Sequence, residues 1–213
     1  MAMRAFRCKM SNIFLRHFLK MEIQLIIKRF ARGVVLAVVA VTSMLMTTAA
    51  SSYGAKPHSY CVVDVSKAAA PKHCFSTFAA SISFATNGRV HLSNAATARN
   101  VSAKELATAS PSDITPDTTY VLSIFFQYTN YGGDTLTSTG TGVCGYWQMS
   151  SMPSGWNDKP SSLRNYSGCA ATLFWDVGFG QPKYDTGVDA SVPSFSNFDN
   201  KTSSVKWCPH LGC

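Results

Sequence analysis

Two short stretches of this 213-residue chain carry oxygen-rich side chains at a repeated spacing. Trp156-Asn157-Asp158-Lys159-Pro160-Ser161-Ser162-Leu163 lies over Phe198-Asp199-Asn200-Lys201-Thr202-Ser203-Ser204-Val205, 42 residues further on. A hard cation such as calcium takes about six to eight oxygens from carboxylates, amides, carbonyls and water. A turn with Asn or Asp, an exposed carbonyl and Ser can offer about three or four, so two such turns brought together can share ligands. The same residue types also build ordinary turns through side chain to backbone hydrogen bonds, and both readings stand at this point.

Other chemistry has weaker signals. His58, His73, His91 and His210 lack the paired spacing of a catalytic zinc site. Gly140 to Gly145, "GTGVCG", matches the dinucleotide-loop spacing but lies between strand-like runs rather than opening a helix inside a βαβ unit. No nucleophile elbow stands out among the many Ser and Thr. Trp147, Trp156, Trp175 and Trp207 are expected as core or corner residues rather than a sugar-stacking face. The chain is not expected to be an enzyme.

A second repeat precedes each oxygen-rich turn. Phe126, Tyr131 and Gly133 in "FQYTNYGG" follow aromatic-x4-aromatic-x-Gly, and 48 residues later Phe174 and Phe179 repeat the aromatics in "FWDVGFGQ". Gln181 stands where the Gly is expected, at a position that serves a positive φ or a close backbone approach. The offset falls from 48 to 42, so the second copy has a shorter loop.

An aromatic hairpin followed by Asn/Asp-Asn/Asp-x-x-Ser/Thr-Ser resembles the Greek-key motif of the βγ-crystallins, particularly their microbial calcium-binding members. The resemblance covers about residues 120–207. It implies a β sandwich of two Greek keys whose calcium sites cross over, each drawing oxygens from both motifs. By that resemblance Asn157, Asp158, the Lys159 carbonyl and the Ser161 hydroxyl form one set of metal ligands. Asp199, Asn200, the Lys201 carbonyl and the Ser203 hydroxyl form the other. Carbonyls near Gly133-Asp134 and Gln181 are candidates to complete the shells, and Ser162 and Ser204 are expected to hold the hairpins. The fold also serves secreted metalloproteinase inhibitors and antimicrobial toxins. An extracellular protease or cell-surface target is therefore the alternative partner, with the loop "GYWQMSSMPSGW" as its candidate surface.

The elements that must position these turns can be read from pattern. Runs such as "YVLSIFFQY", "GYWQM", "CAATLFW" and "SSVKW" alternate with Gly, Asn, Asp and Ser clusters, which predicts mainly β structure over residues 120–213. Before it, Thr108 to Thr119, "TASPSDITPDTT", reads as a linker, placed at 109–119. Residues 56–108 read as a small mixed α/β unit. "YCVVDV" is a strand, Phe78, Ile82 and Phe84 are spaced for a short helix capped by Ser76 and stopped by Gly88, and "RVHL" is a possible returning strand.

Residues 1–50 read as a signal peptide with an N-terminal extension. The 13-residue apolar run Val34 to Met46 follows Lys28, Arg29 and Arg32 and precedes small residues, with cleavage expected after Ala50 or Ala55 and Met21 as a possible true start. A membrane span needs about 20 apolar residues, so none is expected in the mature chain.

That leader changes the charge argument. Eight of the 19 Lys and Arg and one of the 11 Asp and Glu precede residue 51. The remainder, 11 against 10, is near neutral rather than +8, which removes the case for nucleic acid. Cys61, Cys74, Cys144, Cys169, Cys208 and Cys213 remain, an even number that in an exported chain favours disulfides over zinc. Sequence proximity pairs Cys61 with Cys74, Cys144 with Cys169, and Cys208 with Cys213.

Overall fold

A computed structural model describes residues 57–69, 71–106 and 118–213. The expected signal peptide and most of the expected linker lie outside the described residues. Among those described, no helix is long and apolar enough to cross a membrane.

Among the described residues, ten strands form two sheets. β1 (Tyr60–Asp64), β2 (His73–Phe75), β3 (Thr119–Tyr128), β4 (Gly132–Thr141), β5 (Trp147–Met149), β6 (Ser162–Asn165), β7 (Ala170–Asp176), β8 (Gly180–Asp185), β9 (Ser191–Val192) and β10 (Ser204–Cys208) follow in chain order. The larger sheet has the order β2-β1-β4-β3-β6-β9 and the smaller β5-β10-β7-β8. From β3 onward the strands fall into two four-strand motifs, β3 to β6 and β7 to β10. Each motif lends its third strand to the other's sheet: β5 pairs with β10, and β9 with β6. This exchange makes the two halves one Greek-key sandwich, as expected from the motifs.

β3 explains the near-continuous apolar run "YVLSIFF", because both of its faces are covered. Leu122 and Phe125 point into the core between the sheets, with Leu136, Leu163, Leu173, Val205, Trp156 and Trp207. Val121, Ile124 and Phe126 point the other way, into a second cluster with Phe78, Ile82, Val90 and Val101. That second cluster is roofed by α1 (Phe78–Ala85) and the chain that follows it to α2 (Ala103–Leu106).

The N-terminal segment departs from the expectation of a unit of its own. β1 pairs in parallel with β4, Cys61 beside Leu136, and so extends the larger sheet. Lys56–Cys213 is one compact unit. The helix forms where expected, with Phe78 and Ile82 one turn apart on its buried face. Its cap is Thr77 rather than Ser76: the Thr77 hydroxyl accepts from the Ala80 N–H at 3.2 Å. Its stop is Asn87, at φ 52°, rather than Gly88: the Asn87 N–H donates to the Phe84 carbonyl at 3.2 Å and the Gly88 N–H to the Ser83 carbonyl at 2.7 Å. "RVHL" is no strand; Val90 instead plugs the second cluster, and Arg89 reaches across to donate to the Thr119 carbonyl. Thr119, the last residue of the expected linker, opens β3.

All three disulfides pair as expected: Cys61–Cys74, Cys144–Cys169 and Cys208–Cys213. Cys61 and Cys74 face each other across the β1–β2 pair.

Candidate metal centre

The two aromatic hairpins fold alike. Phe126 and Tyr131 meet edge to face at 5.4 Å between ring centroids, and Phe174 and Phe179 at 5.5 Å. Tyr131 and Phe179 both take positive φ, 62° and 68°. A motif serine holds each fold. Ser162 donates to the Tyr128 carbonyl at 2.7 Å and accepts from the Tyr131 N–H at 3.2 Å. Ser204 donates to the Asp176 carbonyl at 2.6 Å and accepts from the Phe179 N–H at 3.0 Å.

The hairpins differ at the glycine. At Gly133, φ is 80°, and an added Cβ would lie 2.7 Å from the Tyr128 ring. Its counterpart Gln181 does not adopt positive φ, and the close approach moves one residue back: a Cβ on Gly180 would lie 2.7 Å from the Asp176 Cβ. Gln181 therefore needs no positive φ, and Gly180 makes the tight contact in this hairpin.

Behind these hairpins the two oxygen-rich turns cross. Asp158 and Asn200 both sit at φ 54°, a left-handed conformation that Asp and Asn tolerate better than most residues. The Asp158 N–H donates to the Thr202 carbonyl and the Asn200 N–H to the Pro160 carbonyl, each at 3.1 Å. This reciprocal pair sets the side chains of one turn against the hydroxyl of the other. Ser203 Oγ donates to Asp158 Oδ1 at 3.1 Å, and Ser161 Oγ lies 3.4 Å from Asn200 Oδ1. Ser161 Oγ also donates to the Gln127 carbonyl at 2.9 Å. Both serines are buried, while Asp158 and Asn200 are open to solvent.

Of the eight expected ligand residues, Asp158 with Ser203 and Asn200 with Ser161 are thus brought together across the motifs. Asn157 is exposed and turns its amide nitrogen, not its oxygen, to Asp158 Oδ2 at 2.7 Å. Asp199 has a buried Oδ1 with no hydrogen-bond partner. Lys159 and Lys201 can offer only their backbone carbonyl oxygens, and their ammonium groups lie over aromatic rings, Trp156 at 4.8 Å and Trp175 at 4.0 Å.

The Gln127 carbonyl also stands at the first turn, as the acceptor for Ser161 Oγ. Sequence reasoning missed Gln127, although it follows the first aromatic of the motif directly. The Asp134 carboxylate accepts from the Ser59 N–H at 3.0 Å and pairs with Lys159 Nζ at 3.0 Å. Burial pushes the Asp134 carboxyl up, but the Ser59 N–H and the Lys159 ammonium outweigh it and hold the group below the usual carboxylate range.

The donor chemistry suits a hard cation. Each half-site mixes a hydroxyl with an amide or carboxylate oxygen, and Asp199 Oδ1 is a buried acceptor without a donor. Among the described residues no three His, Cys, Asp or Glu side chains converge, so the nitrogen and sulfur set that zinc prefers is missing there. The loop considered as a protease-facing surface is anchored but open: Tyr146, Gln148, Ser150, Ser151, Ser154 and Gly155 are exposed, and β5 forms an edge of the smaller sheet. Met149, Met152 and Trp156 are buried in the core, and Tyr146, 76% exposed, is its one outstanding aromatic.

No family model and no curated protein matches the chain. Solved βγ-crystallin domains do align with it. One from Clostridium beijerinckii is 21% identical, covering 41% of this chain and 98% of its own, with a TM-score of 0.32. One from Ciona intestinalis is 28% identical, covering 39% and 94%, also at 0.32. An archaeal βγ-crystallin is 21% identical, covering 40% and 95%, again at 0.32. At such scores the chain's own geometry carries the assignment. Two aromatic hairpins pinned by motif serines, and a strand order in which each motif lends its third strand to the other's sheet, make residues 118–213 a two-motif Greek-key sandwich.

Proposed function

We propose that this is a secreted, non-enzymatic calcium-binding protein in which the ion ties the two motifs of the sandwich together. The observation that supports this most is the crossed pairing of Asp158 with Ser203 and of Ser161 with Asn200. Bare turn formation needs hydrogen bonds within a turn, whereas these pairs turn oxygen against oxygen between turns. Asp158, Ser203 and the carbonyl of Lys159, and Asn200, Ser161 and the carbonyls of Lys201 and Gln127, are the groups that would hold the ions. Asp199 and Asn157 stand beside them as further oxygens.

A bound calcium supplies positive charge where these oxygens converge, and it binds the folded form only, because the unfolded chain does not bring the turns together. Its contribution is therefore linkage, about 2.7 kcal/mol at a concentration 100 times Kd. With one carboxylate per motif, Asp158 in the first and Asp199 in the second, affinity in the micromolar range or weaker is expected, as for extracellular modules. Three disulfides suit the oxidising compartment this requires. Calorimetric titration tests the reading: calcium gives measurable heat with the wild type and none with the Asp158→Ala/Asn200→Ala double variant. Equal heats, or none in either, refute it.

A further inference from the structure

The two half-sites are not supported equally, and the difference lies in one side chain. Lys159, inside the first oxygen-rich turn, is held from two sides. Its ammonium lies over the Trp156 ring and 3.0 Å from Asp134 Oδ2, with the two side chains only 26% and 19% exposed. Asp134 is in turn fixed by the N-terminal segment. Its Oδ1 accepts from the Ser59 N–H, His58 Nδ1 stands 3.9 Å away, and β1 begins at the next residue, paired to β4. The Asp134 N–H also faces the Gln127 side-chain oxygen at 3.4 Å, and the Gln127 carbonyl is the acceptor for Ser161. One residue thus touches both Lys159 and Gln127, whose carbonyls belong to different half-sites in the proposed ligand sets.

The second motif has no such device. The residue 48 positions after Asp134 is Pro182, which has neither a carboxylate nor an N–H. Lys201, the counterpart of Lys159, rests on the Trp175 ring alone among the contacts the structure shows for it.

We infer that Asp134 is a positioning residue for the metal turns: it transmits the docking of β1 to the turn at residues 157–161, so that this turn is ordered before any ion arrives. The inference rests on the calcium reading for its purpose, but the ordering it assigns is a property of the metal-free chain. Anchoring a ligand loop in advance removes ordering entropy that binding would otherwise have to supply. The turn at 199–203 shares the reciprocal backbone bonds but has no equivalent side-chain anchor.

Amide hydrogen exchange in chelator, followed by calcium titration, tests this on the mature chain. The variants are Asp134→Asn and Lys159→Met, the latter keeping the backbone carbonyl and the apolar stem over Trp156. Asp185→Asn serves as the control, since it breaks a comparable ion pair with Lys183, 3.0 Å, on β8. Both test variants are expected to speed exchange at the Asp158, Lys159 and Ser161 amides by roughly two- to fivefold, as loss of one such ion pair would. The Ser203 amide and the control stay unchanged, and calcium affinity falls by a similar factor. Exchange that is unchanged at 157–161, or raised equally in both turns, overturns the inference. If the wild type binds no calcium, the calcium reading fails while the exchange result still decides the positioning role.

Discussion

The first and second motifs build the same crossed arrangement from different supports. In the first, a glycine at positive φ tightens the hairpin, a carboxylate clamps the turn lysine, and β1 covers the outer edge of β4. In the second, the glycine contact has moved to Gly180, Lys201 stacks on an indole, and among the described residues no strand pairs with the outer edge of β8. That edge carries Pro182 and Lys183, residues that discourage strand addition. What the halves share is narrower than their sequences suggest: the aromatic pair, the serine that pins it, and the reciprocal N–H to carbonyl bonds between the turns. The shared parts hold the fold, and the unshared parts set how firmly each turn is held.

The largest break in this comparison is expected at the glycines. Gly133→Ala should cost about 1–3 kcal/mol, because it adds a left-handed strain to a contact with the Tyr128 ring. Gln181→Gly should change stability by well under that, since Gln181 needs no positive φ. Chemical denaturation of the two variants reads the difference. The serines should break both halves alike. Ser162→Ala and Ser204→Ala each leave a hairpin carbonyl and N–H without their partner, at about 1–2 kcal/mol. A large inequality between them would show that the halves are less alike than their hairpins.

Charge sharpens the comparison next. Asn200→Asp adds a carboxylate to the second half-site beside Asp199, and its calcium affinity should rise by about tenfold in calorimetry, while the other half-site changes little. The smallest effect concerns acid. Burial pushes the Asp185 carboxyl up, but the Thr172 hydroxyl and the Lys183 ammonium outweigh it and hold it below the usual range. Its folded value is lower than its unfolded value, so its stabilising contribution is present above about pH 4 and is lost as pH falls through the folded value. Asp185→Asn should therefore lower stability slightly at neutral pH and flatten the acid limb of the melting profile.

Much of this was legible in the residues. The spaced aromatics, the paired turns and the even cysteines lead to the hairpins, the crossed motifs and the three disulfides, because each depends on local chemistry at short range. The polar strand β4, "GGDTLTSTGT", was not read as a strand. Its threonines look solvent-facing until β1 lies against one edge and the helix-bearing segment covers its outer face, where Thr135 and Thr137 are buried. The same long-range pairing hid the merging of residues 57–106 with the sandwich. The role of Gln127 was hidden because a backbone carbonyl leaves no trace in residue identity. Asp134 was noticed only for its carbonyl, since its partners Ser59 and Lys159 lie 75 and 25 residues away.

The central claim, that calcium stabilises the pair of crossed turns, is tested most directly by thermal melting of the mature protein with millimolar calcium and with chelator. The midpoint should rise by several degrees in calcium, on the order of what 1–3 kcal/mol of linkage gives a domain of this size, and the rise should vanish in the Asp158→Ala/Asn200→Ala variant. Superimposable curves with calcium and with chelator for the wild type would contradict it.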